Sequence, residues 1–174
     1  MSTEAMTLPT SESLVEAIKG GSTDAPVCAA VTAMSQLHQR RFLSLAILAD
    51  HHNPADAAAM LQAAGQLATA VSGTARCIRV IDQHIAASVR LDPSPDAEVA
   101  AYTVGEFAAA IGYVAVVAYA ERKAGRGGGN EARLAGLFDA YDEFRAALLS
   151  GTSRLPLRTP SRRHVECEPE QGES

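Results

Sequence analysis

The sequence predicts an all-α protein: an up-and-down bundle of four long antiparallel helices, preceded by a short N-terminal helix and followed by a disordered C-terminal tail. Three observations carry this expectation. Hydrophobic residues make up 47% of the 174 residues while aromatics make up only 5% and Trp is absent, so alanine, the best intrinsic helix former, dominates the apolar set. Apolar residues recur at helical spacing over four long segments, and no segment alternates as a strand would. Cap and turn signals separate those segments by only a few residues, and connections that short make consecutive helices antiparallel neighbours.

Taken in order, Ser13 and Glu16 have capping-box spacing and open a short helix that stops at Gly20-Gly21. Asp24, with Pro26 in the first turn, opens the first long helix, which runs to about Asp50. Asn53, Pro54 and Asp56 supply an N-cap, a first-turn proline and a dipole-favourable acid for the second, which runs to about Arg90 with Ser72-Gly73 as a kink. Ser94, Pro95 and Asp96 repeat the device for the third, expected to reach Lys123 or Ala124. Gly125 to Gly129 reads as a loop, and Asn130 caps a fourth helix ending at Ser150-Gly151. The expected organisation is a flexible N-terminus over residues 1–10, a helical bundle domain over 11–151 and a disordered tail over 152–174, where the chain turns Arg-, Pro- and Ser-rich and then acidic.

Helical phase picks out the inward faces. Val27, Val31, Met34, Leu37, Leu45 and Leu48 share a stripe on the first long helix; Met60, Leu67, Val71, Ile78, Ile81, Ile85 and Val89 share one on the second. On the fourth the stripe is Leu134, Leu137, Phe138, Tyr141, Phe144 and Leu148. The third helix is apolar on two sides. Val99, Tyr102, Tyr113 and Val117 lie on one, Val104, Phe107, Ile111 and Val114 on the other, with Ala101, Gly105, Ala108 and Gly112 between. A helix apolar nearly all round is central or is covered by a second subunit, which makes Val104, Phe107, Ile111 and Val114 the candidate interface.

Composition excludes some function classes. A net charge of −5 gives no basic surplus for nucleic acid or anionic membranes. The segment from Val99 to Ala120 is apolar enough to suggest a membrane span, but it is mostly alanine and carries Glu106 near its middle, so a buried helix is the expectation. Cys28, Cys77 and Cys167 are far apart and odd in number, which suits reduced thiols in a cytoplasmic protein. The first ten residues lack a basic region followed by an apolar stretch, so no signal peptide is expected.

Four ionisable residues fall in otherwise apolar stripes: His38 and Arg41 on the first long helix, Asp82 on the second and Glu106 on the third. A buried Arg needs a carboxylate, and Asp82 and Glu106 are the expected partners. As a functional cluster, Arg41 would grip an anionic ligand and His38 would move a proton; as a structural one, the group fixes helix register. Ferritin-like di-iron chemistry requires Glu-x-x-His pairs, and none occurs. Asp50-His51-His52 abut a proline, and neighbouring side chains on a helix face apart. Arg79 and His84 have the loose R-x4-H spacing of the HEPN ribonucleases, yet on a continuous helix they lie roughly 140° apart, and the resemblance stops there. Gly125 to Gly129 neither follows a strand nor precedes Lys-Ser/Thr, so it is no phosphate loop. Arg154, Arg158, Arg162 and Arg163 read as a solvated tail. The expectation is a non-catalytic, cofactor-free helical interaction protein that self-associates or binds a protein partner through the third helix. The alternative is a small helical enzyme or ligand-binding protein with a pocket formed by His38, Arg41, Asp82 and Glu106.

Overall fold

In the computed structural model, residues 8–21, 26–49, 57–126 and 128–156 are described. The described residues are mostly helical, 77% of them in five helices: α1 (Ser11–Ile18), α2 (Pro26–Ala49), α3 (Ala57–Ser88), α4 (Val104–Lys123) and α5 (Gly129–Leu149). The all-α expectation holds, and α3 is one unbroken helix through Ser72-Gly73. α2 and α3 pack along each other, α4 packs on α5, α2 and α3, and α1 packs mainly on α2. α5 rests on α4 and α1, with no comparable packing against α2 or α3, so the long helices do not enclose one another as evenly as the legs of a regular four-helix bundle.

Three helix starts differ from the sequence reading, and side-chain capping explains two of them. α1 is capped by Thr10, whose Oγ1 accepts from the Ser13 amide at 3.2 Å while Ser13 Oγ accepts from the Thr10 amide at 2.9 Å. The box therefore sits three residues earlier than Ser13 and Glu16 suggested. α4 begins at Val104, not near Asp96. Thr103 and Glu106 form a reciprocal box, Glu106 Oε2 accepting from the Thr103 amide at 2.8 Å and Thr103 Oγ1 from the Glu106 amide at 3.2 Å. Residues 89–103 are not helical: a turn closed by the Ala97 amide donating to the Ser94 carbonyl at 3.0 Å leads into a short extended stretch at 98–99. Asn130 is not the cap of α5; Gly128 (φ +102°) occupies that place, and Asn130 donates to Glu121 Oε1 at 2.8 Å, joining the facing ends of α4 and α5.

The extended segment makes the one element the sequence reading did not anticipate. β1 (Glu98–Val99) pairs in parallel with β2 (Ser153–Arg154). Flanking bonds from the Ser94 amide to the Gly151 carbonyl (2.9 Å) and from the Ala100 amide to the Arg154 carbonyl (2.9 Å) extend the join. Gly151 is required here twice over. Its φ is +75°, and a Cβ at that position would lie 2.6 Å from the Asp92 carbonyl oxygen. Residues 152–156, expected to belong to the tail, are thus docked, with Leu155 packed on the core; the rest of the expected tail, 157–174, lies outside the described residues. The N-terminal boundary shifts likewise. Leu8 is buried, Tyr141 Oη donates to the Pro9 carbonyl at 2.8 Å, and Arg145 Nε donates to the Leu8 carbonyl at 3.1 Å.

The core joins α1 to α5 through Leu14, Val31, Met34, Ile81, Ile85, Val104, Ile111, Tyr141 and Leu148. Most expected inward residues are covered. Leu45, Val71, Val99 and Tyr102 are corrections, each of them exposed: Val99 and Tyr102 precede α4 and so follow no helical phase, while Leu45 and Val71 lie on the uncovered part of the α2–α3 pair.

Candidate functional site

The four ionisable residues do not converge. α4 separates them into two groups, because Asp82 meets it at Gly105 and His38 meets it at Gly112. Those positions are seven residues apart, about 10 Å along the helix.

At the N-terminal group, α3 and α4 approach so closely that a Cβ on Gly105 would sit 2.7 Å from the Ile78 carbonyl oxygen and 2.9 Å from Asp82 Oδ1. Asp82 Oδ1 accepts from the Gly105 amide at 2.9 Å. The carboxylate therefore faces the positive end of the α4 dipole and satisfies one of the backbone donors left free in a first turn. Glu106 closes the capping box at the same helix end. Both acids bond to backbone amides at the start of α4, Asp82 through Oδ1 and Glu106 through Oε2.

At the second group, His38 is 2% exposed and lies between α2 and α4. Neither of its ring nitrogens has a hydrogen-bond partner among the described residues. Burial, and secondarily the Arg41 charge, hold its pKa down to about 4 from 6.5, with the backbone of Ala109 acting weakly the other way; the imidazole is neutral at ordinary pH. Its ring meets Tyr113 edge-on, centroids 5.7 Å apart. Arg41 forms no ion pair with a carboxylate among the described residues; its guanidinium carbon instead lies 4.7 Å from the centre of the same Tyr113 ring. Ser44, one turn further along α2, is fully buried with its hydroxyl unpartnered. The expected Arg41–carboxylate pairing is thus corrected to an Arg–aromatic contact. Tyr113, read from the sequence only as part of an apolar side, is the residue that organises this group; its place one turn from Ala109 on the face toward His38 becomes visible only once α2 and α4 are docked.

The arrangement offers little to a reaction. His38, Arg41 and Ser44 follow one another at successive turns of α2, and both His38 ring nitrogens, Arg41 Nε and the Ser44 hydroxyl are enclosed without a hydrogen-bond partner among the described residues. Among the described residues no group of three His, Cys, Asp or Glu side chains gathers as metal ligands would. Arg79 is exposed and His84 half-buried. Cys28 and Cys77 are unbridged, and burial raises the Cys77 pKa. Asp50-His51-His52, Cys167, Arg158, Arg162 and Arg163 lie outside the described residues, and Arg154 is in β2.

The candidate interface on α4 is occupied by the chain itself. Val104, Ile111 and Val114 are buried and Phe107 is half-buried, stacked on Phe144 with centroids 4.9 Å apart. α4 is also the one helix among the described residues long and apolar enough to cross a membrane. Here it packs against α2, α3 and α5, and that position explains why it is apolar on two sides. The uncovered apolar surface lies instead where α2 ends and α3 begins: Leu61 is 77% exposed and Leu43 61%, with Leu45, Ile47 and Val71 also open. No protein-family model, curated protein or solved structure matches the chain.

Proposed function

We propose that this chain is a non-catalytic helical interaction protein whose working surface is the joined part of α2 and α3. One observation carries the reading: Leu43, Leu45 and Ile47 on α2 and Leu61 and Val71 on α3 are each exposed on a helix pair that packs along its length. Apolar side chains left uncovered in number on a folded domain are where a partner is sought first. In this reading α2 to α5 follow an up-and-down antiparallel course, and a polypeptide partner covers the open α2–α3 edge. The α4 face proposed from the sequence is set aside because the chain's own core fills it. The division of His38, Arg41, Asp82 and Glu106 between the first turn and the middle of α4 weighs against the enzyme alternative.

Complementation in the source organism separates the two readings. Leu43→Glu combined with Leu61→Glu should abolish rescue of a deletion phenotype, while His38→Leu combined with Arg41→Met should retain it. The reverse pattern would overturn the interaction reading in favour of a polar site between α2 and α4.

A further inference from the structure

α2 and α3 leave an open groove between them. Its volume is about 560 Å³, in the range of clefts that hold small molecules, and it is walled by Leu37 on α2 and by Ala68, Ser72, Gly73 and Arg76 on α3. Leu37 closes its floor, since a Cβ on Gly73 would lie 2.8 Å from Leu37 Cδ1. The contacts with α4 lie elsewhere: His38 meets Gly112, and Ile78 and Asp82 meet Gly105.

The groove is charged at one end only. On α3, Leu61, Gly65, Ala68, Ser72 and Arg76 recur at helical spacing and share about 80° of arc, a track about 22 Å long that ends at the guanidinium. A Cβ on Gly65 would meet nothing within 4 Å, so the track is open there. On α2, Arg40 lies about 60° round from Leu37, on the side opposite His38, and Leu43 and Ile47 follow it on nearly the same arc. Arg40, Leu43 and Ile47 are all exposed. Only residues 50–56 join the two helices, too short a link for anything but opposite directions. Both banks therefore run from arginine to uncharged residues the same way. Neither Arg40 nor Arg76 forms an ion pair with a described residue. α2 contains no acid, and the one acid of α3, Asp82, accepts from the Gly105 amide.

Two guanidinium groups at the end of an uncharged trough suit a single anion, and a carboxylate gives them paired, charge-assisted hydrogen bonds. Beyond its head the ligand must carry neither charge nor unmet hydrogen-bonding groups. The Thr69 hydroxyl is already donated to the Gly65 carbonyl at 2.9 Å, and the helix backbones are satisfied internally. An extended peptide would find few partners there for its amides, whereas an alkyl chain needs none. An anionic bilayer is disfavoured by the net charge of −5. We propose that the α2–α3 groove binds a free long-chain carboxylate, with its head between Arg40 and Arg76 and its chain laid toward Leu61. This goes beyond the interaction reading: a polypeptide partner would meet a surface that the alkyl chain has partly filled.

The test is equilibrium dialysis of the full chain against palmitate, laurate and octanoate, each below the concentration at which it forms micelles. A single palmitate should bind per chain, with affinity falling several-fold to laurate and again to octanoate as apolar contact is lost. Arg40→Met combined with Arg76→Met should weaken palmitate binding roughly ten-fold or more, and Ala68→Glu should abolish it. Helical circular dichroism should be unchanged in both variants, since all three positions are exposed. Arg133→Met, on the exposed side of α5, should leave binding as it is. Absence of saturable palmitate uptake overturns the ligand, and uptake indifferent to the two arginines or to Ala68→Glu overturns its place. Hexadecanol bound as tightly as palmitate overturns the role of the carboxylate. Adsorption to phosphatidylglycerol vesicles without uptake of free palmitate overturns the proposal in favour of a membrane contact. Each of these failures leaves the polypeptide partner to be decided by complementation.

Discussion

At the scale of single residues, the seam between α2 and α4 is governed by His38. A neutral imidazole between two helices, with an arginine one turn away, makes folding sensitive to acid. The pKa of about 4 in the folded chain lies below the 6.5 of an unperturbed histidine, so between those values the unfolded chain binds the additional proton. The contribution to stability is complete above about pH 6.5 and is lost progressively as pH falls toward 4, amounting to ~3 kcal/mol in all. Urea denaturation of wild type and His38→Leu should show the difference: the wild type loses stability more steeply between about pH 6.5 and 4.5, and the variant, which leaves no unpaired buried nitrogen, matches or exceeds it near neutrality. Parallel pH profiles for the two proteins would mean that His38 is protonated in place. Arg41→Met is expected to be mild, within about 1 kcal/mol, since it removes a contact with an aromatic ring and leaves no carboxylate behind; a loss of about 3 kcal/mol or more in the same assay would reveal a buried acid that depends on it.

At the scale of the element, α4 shows what a sequence makes legible. Its two apolar sides and its small-residue strip were readable as periodicity, and its C-terminal end was readable from the glycines that follow. Its start was not, because Ser94-Pro95-Asp96 and Thr103 to Glu106 are both credible caps. Only the tertiary use of residues 94–100, whose backbone bonds to Gly151, Thr152 and Arg154, decides between them. Asp82 illustrates a second limit. Its place in an apolar stripe announced burial, but its partner is a backbone amide of another helix, which pattern matching among side chains does not reach. Gly105 is where these constraints meet. A Cβ there would strike the α3 backbone and not the movable end of a side chain, so Gly105→Ala should cost about 1–3 kcal/mol despite its better helix propensity. Thr103→Ala, removing the cap alone, should cost ~1 kcal/mol. Thermal or chemical melts would measure both, and a stabilised Gly105→Ala would show that α3 and α4 stand further apart.

At the scale of the molecule, the two described ends of the chain are fastened to different places. Residues 153–154 pair with the link between α3 and α4, and Leu155 joins the core. A chain ending after Pro156 should therefore be more stable than one ending after Thr152, by about 1–3 kcal/mol from the lost pairing and the uncovered core; equal melting temperatures would show the pairing to be inconsequential. The other end is held differently. Leu8 and Pro9 are bound by Tyr141 and Arg145, across sequence separations of 132 and 137 residues. During synthesis, at roughly 5–20 residues per second, Leu8 and Pro9 have no such partners until α5 has followed. α2 and α3 can pair as they emerge, but Leu8 waits for α5. The segment from Leu8 to Pro9 thus stays open to a chaperone or a protease for as long as α5 is unmade.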